Sequence, residues 1–249
     1  MSRSNNEELI NPSQKYFEWD GVNGQFEFFD KTQKTETTKG VKVSVPLPFR
    51  FLVLDRLSTV KGYNKDEKSG YWSNEVRDIK TEIMVVRTKK GVAGKGTYAN
   101  VIDTKDCRGA KYCQSVYIAY KDGDKMVICN LGLTGTAVSS WIEFCKGNKI
   151  MEGAIAVETS TDEVNGATHY KKPVFKKIPS TKESEEKAKE LDIELQKYLA
   201  LYFKKTQQQI ADTHIVEHVV TESKPVEKEV RKVAEEVPVI SAPNDDLPF

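Results

Sequence analysis

A chain of 249 residues, 38% hydrophobic and 30% charged, has room for a sizeable core and carries somewhat more charge than an average globular chain. No run approaches the ~18 consecutive apolar residues of a membrane span, so no membrane partner is expected. The net charge of +1 hides a division: residues 1–178 hold 28 Lys+Arg against 22 Asp+Glu, and residues 179–249 hold 10 against 15, a basic body before an acidic tail.

The polar start Met1–Glu8 has no apolar core of a signal peptide, so a cytoplasmic location is expected. Residues 1–14 read as a flexible arm. From Lys15 the pattern turns to strand: Tyr16, Phe17 and Trp19, a turn over Asp20–Gly24, then Gln25–Phe29, a β-hairpin. Val41–Val45 alternates with period two, and Phe49–Leu57 reads as a buried strand. Lys61–Asp78 is rich in Gly, Lys, Asp and Ser and reads as an inserted loop, although it also holds Tyr63, Tyr71 and Trp72. Ile79–Arg87 returns to strand, and Thr88–Tyr98 reads as a basic, glycine-rich loop.

Asp122-Gly123 between Tyr112–Tyr120 and Lys125–Leu131 is the strongest hairpin signal in the chain. A short helix follows over Gly135–Phe144, with Thr134 or Thr136 as its cap and Val138, Trp141, Ile142 and Cys145 on one face. Ile150–Glu158 and Thr168–Ile178 are two further strands around a polar loop, Thr159–Gly166. This order is that of an OB-fold, a partly open Greek-key barrel. The expected class is therefore mainly β: an OB-fold-like barrel over residues 15–179 with long loop insertions and one short helix.

Residues 180–211 read as an amphipathic helix. Ser180 and Glu183 have capping-box spacing, and Leu191, Leu195, Tyr198, Leu199 and Tyr202 form a stripe that packs on the barrel or on a second subunit, which leaves a homo-oligomer open. All 15 glycines precede residue 167. Residues 212–249 carry Pro225, Pro238, Pro243 and Pro248 with Phe249 as their only aromatic, the composition of a disordered tail.

Strands that bind single-stranded nucleic acid need cations for the backbone and aromatic faces on which bases stack. Tyr63, Tyr71, Trp72 and Arg77 supply both in one segment; Lys89, Lys90, Lys95 and Tyr98 follow, then Arg108, Lys111 and Tyr112, and finally Tyr170, Lys171 and Lys172. These are the candidate nucleic-acid contacts, whereas Trp141, Phe51 and Phe28, on periodic segments, read as core. Gly94-Lys95-Gly96 does not complete a phosphate-binding P-loop. Cys107, Cys113, Cys129 and Cys145 are spaced too irregularly for a zinc site and read as free, mostly buried thiols. No catalytic set, metal site or cofactor site emerges, so an enzyme is not expected.

The chain ends Asp245-Asp246-Leu247-Pro248-Phe249. That order resembles the C-terminal tip of bacterial-type single-stranded DNA-binding proteins, and the basic OB-like body before a long tail resembles their layout. Leu247 stands where the family usually has Ile, and Asn244 where a further Asp is common. The resemblance implies a non-catalytic protein that coats and protects single-stranded DNA with little sequence preference during replication, recombination and repair. It implies that Phe249 and Pro248 enter an apolar pocket on a partner helicase, exonuclease, primase or polymerase, with Leu247 beside them and Asp245 and Asp246 meeting a basic rim. The long insertions and the helix over 180–211 mark a divergent version, and divergence with a host-style tip implies a bacteriophage origin and an infected bacterial cytoplasm. A strand-annealing recombination protein, and an adaptor or phage structural protein without DNA binding, are the alternatives. Opposite charge between tail and body leads to the expectation that the tip rests on the basic groove when DNA is absent.

Overall fold

The structure is a computed structural model, and it describes residues 9–34, 39–65 and 68–212. Most of the arm, and the tail expected to be disordered from residue 213 on, including Asp245–Phe249, lie outside the described residues; residue 212 is the last of a helix. The described part is mainly β, an open mixed sheet with three helices.

Three clusters of hydrophobic side chains decide how the strands lie. The N-terminal hairpin forms as expected, β1 (Lys15–Asp20) with β2 (Gln25–Asp30), and β3 (Val41–Val45) adds to β2. The turn is closed by Asp20, whose Oδ1 accepts the Val22 N–H at 2.9 Å, and by Gly24 at φ +72°. β4 (Phe49–Asn64) is the spine of the sheet. Along one edge it pairs with β8 (Ala110–Asp122); along the other it pairs with β10 (Ala154–Asn165) at Phe49–Phe51 and with β5 (Ser69–Ser73) at Lys61–Asn64. β8 turns through Gly123-Asp124, with Gly123 at φ +61°, into β9 (Lys125–Thr134), and β1 joins β9 in parallel. β10 pairs with β11 (Thr168–Ile178).

The segment read as an inserted loop is different. β4 runs on through Asn64 and turns back as β5, because Tyr63, Tyr71 and Trp72 alternate across a pleat. The strand expected over Ile79–Arg87 shortens to β6 (Met84–Thr88), and the glycine-rich segment becomes β7 (Gly91–Gly96). Glycine suits β7 for a steric reason: a Cβ at Gly94 would lie 3.1 Å from the Cys107 sulfur. A five-residue helix α1 (Tyr98–Ile102) and a 3-10 turn (Lys105–Cys107) close this lobe. The polar loop expected at 159–166 is instead the tip of the long β10–β11 hairpin.

On the inner face, Phe17, Phe26, Phe49, Phe51, Leu131 and Trp141 share a core, which takes in helix α2 (Gly135–Gly147) through Ala137, Val138 and Trp141. Val60, Tyr71, Met84, Val86 and Val101 form a smaller core in the β5–β7 lobe. On the outer face of β4, β8 and β9, Leu54, Leu57, Tyr117 and Ile128 are covered by α3 (Lys182–Asp212) through Ala188, Leu195 and Leu199. A bulge between Val53 and Asp55 lets Leu54 and Asp55 both serve this side. The N-cap of α3 is one residue later than expected: the Ser184 N–H bonds Thr181 Oγ1 at 3.2 Å and the Thr181 N–H bonds Ser184 Oγ at 3.1 Å. The helix stripe packs on this chain's own sheet.

Candidate nucleic-acid interface

Alternation along β4 carries Leu57, Thr59, Lys61 and Tyr63 to the outer face; Leu57 lies under α3, and Lys61 and Tyr63 lie beyond α3's apolar stripe. Strand register then sets one row of side chains across four strands: Lys111 on β8 opposite Lys61 on β4, Lys61 opposite Trp72 on β5, and Trp72 opposite Arg87 on β6. Tyr63 is the diagonal neighbour of Trp72 on the same face. Tyr63 is 56% and Trp72 44% exposed. Two large aromatic faces are thus open to solvent on a row that carries Lys111, Lys61 and Arg87, the Lys61 ammonium reaching across toward β9 and β1, a pairing of stacking surface with backbone charge.

Of the expected contacts, Tyr63, Trp72 and Lys111 meet here, and Lys89 and Lys90 are exposed at the β6–β7 turn at the end of the same lobe. Arg108 is exposed next to the 3-10 turn. Of the others, Tyr71 is out of reach of a base, and the rest make contacts within the fold or stand on another part of the sheet. Tyr71, next to Trp72, points the opposite way and is only 3% exposed; its hydroxyl accepts from Asn64 Nδ2 and donates to the Asp106 carbonyl, both at 2.9 Å, so no base can stack on it. Arg77 is a structural clamp, donating to both oxygens of Asp55 at 3.2 and 3.0 Å and lying 5.3 Å from the centre of the Phe203 ring of α3. Lys95 Nζ donates to the Ile210 carbonyl at 2.6 Å, capping the last turn of α3 in place of a phosphate contact. Tyr98 and Tyr112 pack edge to face at 5.7 Å and are half-buried, Tyr112 within hydrogen-bond distance of Ser58 Oγ.

Tyr170, Lys171 and Lys172 stand on β11, which pairs with β10 and lies outside the β8–β4–β5–β6 row. They have acidic partners there: Tyr170 donates to Glu163 at 3.1 Å, Lys171 meets Asp162 at 3.0 Å and Lys172 lies 3.6 Å from Glu163. The Lys171 backbone also holds the β1–β2 turn, accepting from Trp19 Nε1 at 2.8 Å.

Sequence reasoning missed Arg87, Glu18 and Tyr16 as parts of this face. Glu18 and Tyr16 come from β1, and only the parallel β1–β9 pairing brings them to this face, with Glu18 beside Lys61. Period two within β1 signals that both share a face, but not which strand they adjoin.

Glu75 joins the α3 side of this face to the sheet. Its carboxylate accepts from Ser115 Oγ and, at 2.7 Å, from the Tyr117 hydroxyl, while its backbone N–H donates to the Tyr202 hydroxyl of α3 at 2.8 Å. Burial raises the carboxyl above its ordinary range, against the opposing pull of the Ser115 and Tyr117 bonds and of Lys61. A raised folded value means that the protonated form favours the fold, so Glu75's stabilising contribution is complete below the unfolded value and is lost as pH rises through the folded one. Glu75→Gln is expected to remove this slope. The difference in denaturation midpoint between wild type and variant, followed from pH 4 to 8, shifts in the variant's favour as pH rises; a constant difference would contradict it.

All four cysteines are free, and burial pushes the Cys113 thiol up to about 12, an unreactive group beneath Lys61. Among the described residues no group of three or more His, Cys, Asp or Glu is placed to hold a metal ion, and no helix is long and apolar enough to cross a membrane. Comparisons with protein-family models, with curated proteins and with solved structures return no match.

Proposed function

We propose that this chain is a non-catalytic protein that coats single-stranded DNA with little sequence preference during replication, recombination and repair. The observation that carries the proposal is the outer-face row of Lys111, Lys61, Trp72 and Arg87 with Tyr63 beside it. Every base has a π-face, so open aromatic rings take any sequence, and strand cations take the phosphates. An OB-like reading of the body is supported by β4 pairing with both β8 and β10, and by α2 standing between β9 and β10. The tip Asp245–Phe249 supports recruitment of partner replication and repair enzymes, by its resemblance to the single-stranded DNA-binding proteins.

The test is a competition series with labelled oligo-dT, duplex DNA and RNA over a range of salt. Tight binding to oligo-dT that weakens steeply as salt rises is expected, with log K falling by about 0.7 per phosphate contacted for each tenfold rise in salt. A chain lacking residues 245–249 keeps this binding and loses partner recruitment. Absence of any salt-dependent oligo-dT binding at low ionic strength ends the proposal.

A further inference from the structure

Lys61 does not project into solvent from its own row. Its side chain crosses the outer face near Cys113 until Nζ reaches Glu18 Oε1 on β1 at 3.2 Å. On the way the ammonium lies against Gly132 of β9, where a Cβ would stand 2.5 Å from Nζ and 3.6 Å from Cε. The backbone at Gly132 is not among the positive-φ glycines, so what this position requires is space. A side chain there would push the ammonium off the sheet. Gly132 and Lys61 together therefore form a cationic seat on the face, and an acidic side chain fills it.

Glu18 is an odd tenant for a stabilising role. In the β1–β2 pairing it stands directly opposite Glu27, and like charges in opposed positions destabilise a sheet. Glu27 is taken up by Lys42 of β3, which leaves Glu18 to Lys61. Both members of the Lys61–Glu18 pair are partly open to solvent, 37% and 57%. An ion pair so exposed is held weakly and is readily exchanged.

We infer that the seat formed by Lys61 over Gly132 is a subsite for a phosphodiester of the bound strand, and that Glu18 is its built-in competitor. The inference rests on the proposed binding of single-stranded DNA. The anionic backbone passing between Tyr63/Trp72 and the β1 side displaces the Glu18 carboxylate and takes its place at the ammonium. Glu18 then lowers affinity and, since Lys61 is already neutralised in the free protein, hides one phosphate contact from the salt dependence.

The experiment measures oligo-dT binding of the full chain by fluorescence anisotropy across a salt series for the wild type, Glu18→Gln, Lys61→Met and the double variant. Glu18→Gln is expected to bind about two- to five-fold more tightly at low salt, the range an exposed pair allows, with the salt slope steeper by about 0.7. Lys61→Met binds more weakly, and the double variant matches Lys61→Met, because without the ammonium there is nothing for Glu18 to contest. Melting temperatures serve as the folding control, and that of Glu18→Gln holds or rises as the Glu27 repulsion is relieved. If the wild type binds and Glu18→Gln binds equally or more weakly, or gains the same in a Lys61→Met background, the inference is overturned while the proposed function stands. If the wild type binds no oligo-dT, both fall.

Discussion

Replacing Trp72 and Tyr63 together by alanine is expected to weaken oligo-dT binding by at least about 30-fold, since each stacked base contributes about 1–3 kcal/mol. The two rings lie diagonally across the β4–β5 pair, so their effects are coupled and the single variants need not sum to the double. Both side chains are largely outside the core, so the melting temperature is expected to change little. Tyr71→Phe supplies the contrasting control from the very next residue. It strips a hydroxyl bonded to Asn64 and to the Asp106 carbonyl, a loss of about 1–3 kcal/mol of stability, while the folded protein keeps its affinity. If Tyr71→Phe reduced affinity as much as the Trp72 and Tyr63 change, the face would have been assigned to the wrong side of the sheet.

That contrast marks the limit of what the amino-acid order makes legible. Tyr71 and Trp72 are adjacent aromatics in a polar, glycine-containing segment, and their composition alone is equally suited to stacking on bases. Only the register with β4 separates them, because period two sends neighbours to opposite faces and the inner face there is already filled by Val60 and Met84. Local signals fared well where local chemistry decides the outcome: the hairpin signalled by Asp122-Gly123 forms, turning at Gly123-Asp124, and the Val138/Trp141 face of α2 enters the core. Glycine at 91, 94 and 96 argues against a strand on propensity, yet β7 forms since the sheet edge tolerates it and Val101 and Cys107 press close against its small residues. Arg77 and Lys95 read as phosphate contacts by charge, but α3, more than 100 residues later in the chain, supplies Phe203 and the Ile210 carbonyl as their partners. Lys61, Trp72, Arg87 and Lys111 span 51 positions, and no spacing rule places such residues in one row.

The helix stripe was open to two readings, packing on the barrel or on a second subunit, and Leu195 and Leu199 decide between them. Leu195 is fully buried and Leu199 nearly so, against Leu54, Leu57 and Tyr117 of the same chain. Leu195→Ala is expected to cost about 2–5 kcal/mol, and Leu199→Ala a similar amount, through lost transfer energy and the cavity left behind. Domain stabilities are commonly about 5–15 kcal/mol, so the double variant should be marginal or unfolded at 25 °C. Equilibrium urea unfolding checks this, and the midpoint of each single variant should not depend on protein concentration, because the partner surface is intramolecular. A loss below about 1 kcal/mol, or a midpoint that moves with concentration, would return α3 to the second-subunit reading. The consequence extends to the binding face, since α3 also brings Tyr202 to the Glu75 backbone and Phe203 to Arg77, joining β5–β6 to the spine of the sheet. A single variant that stays folded but loosens α3 is therefore expected to lose oligo-dT affinity as well, although neither leucine touches the Trp72 row.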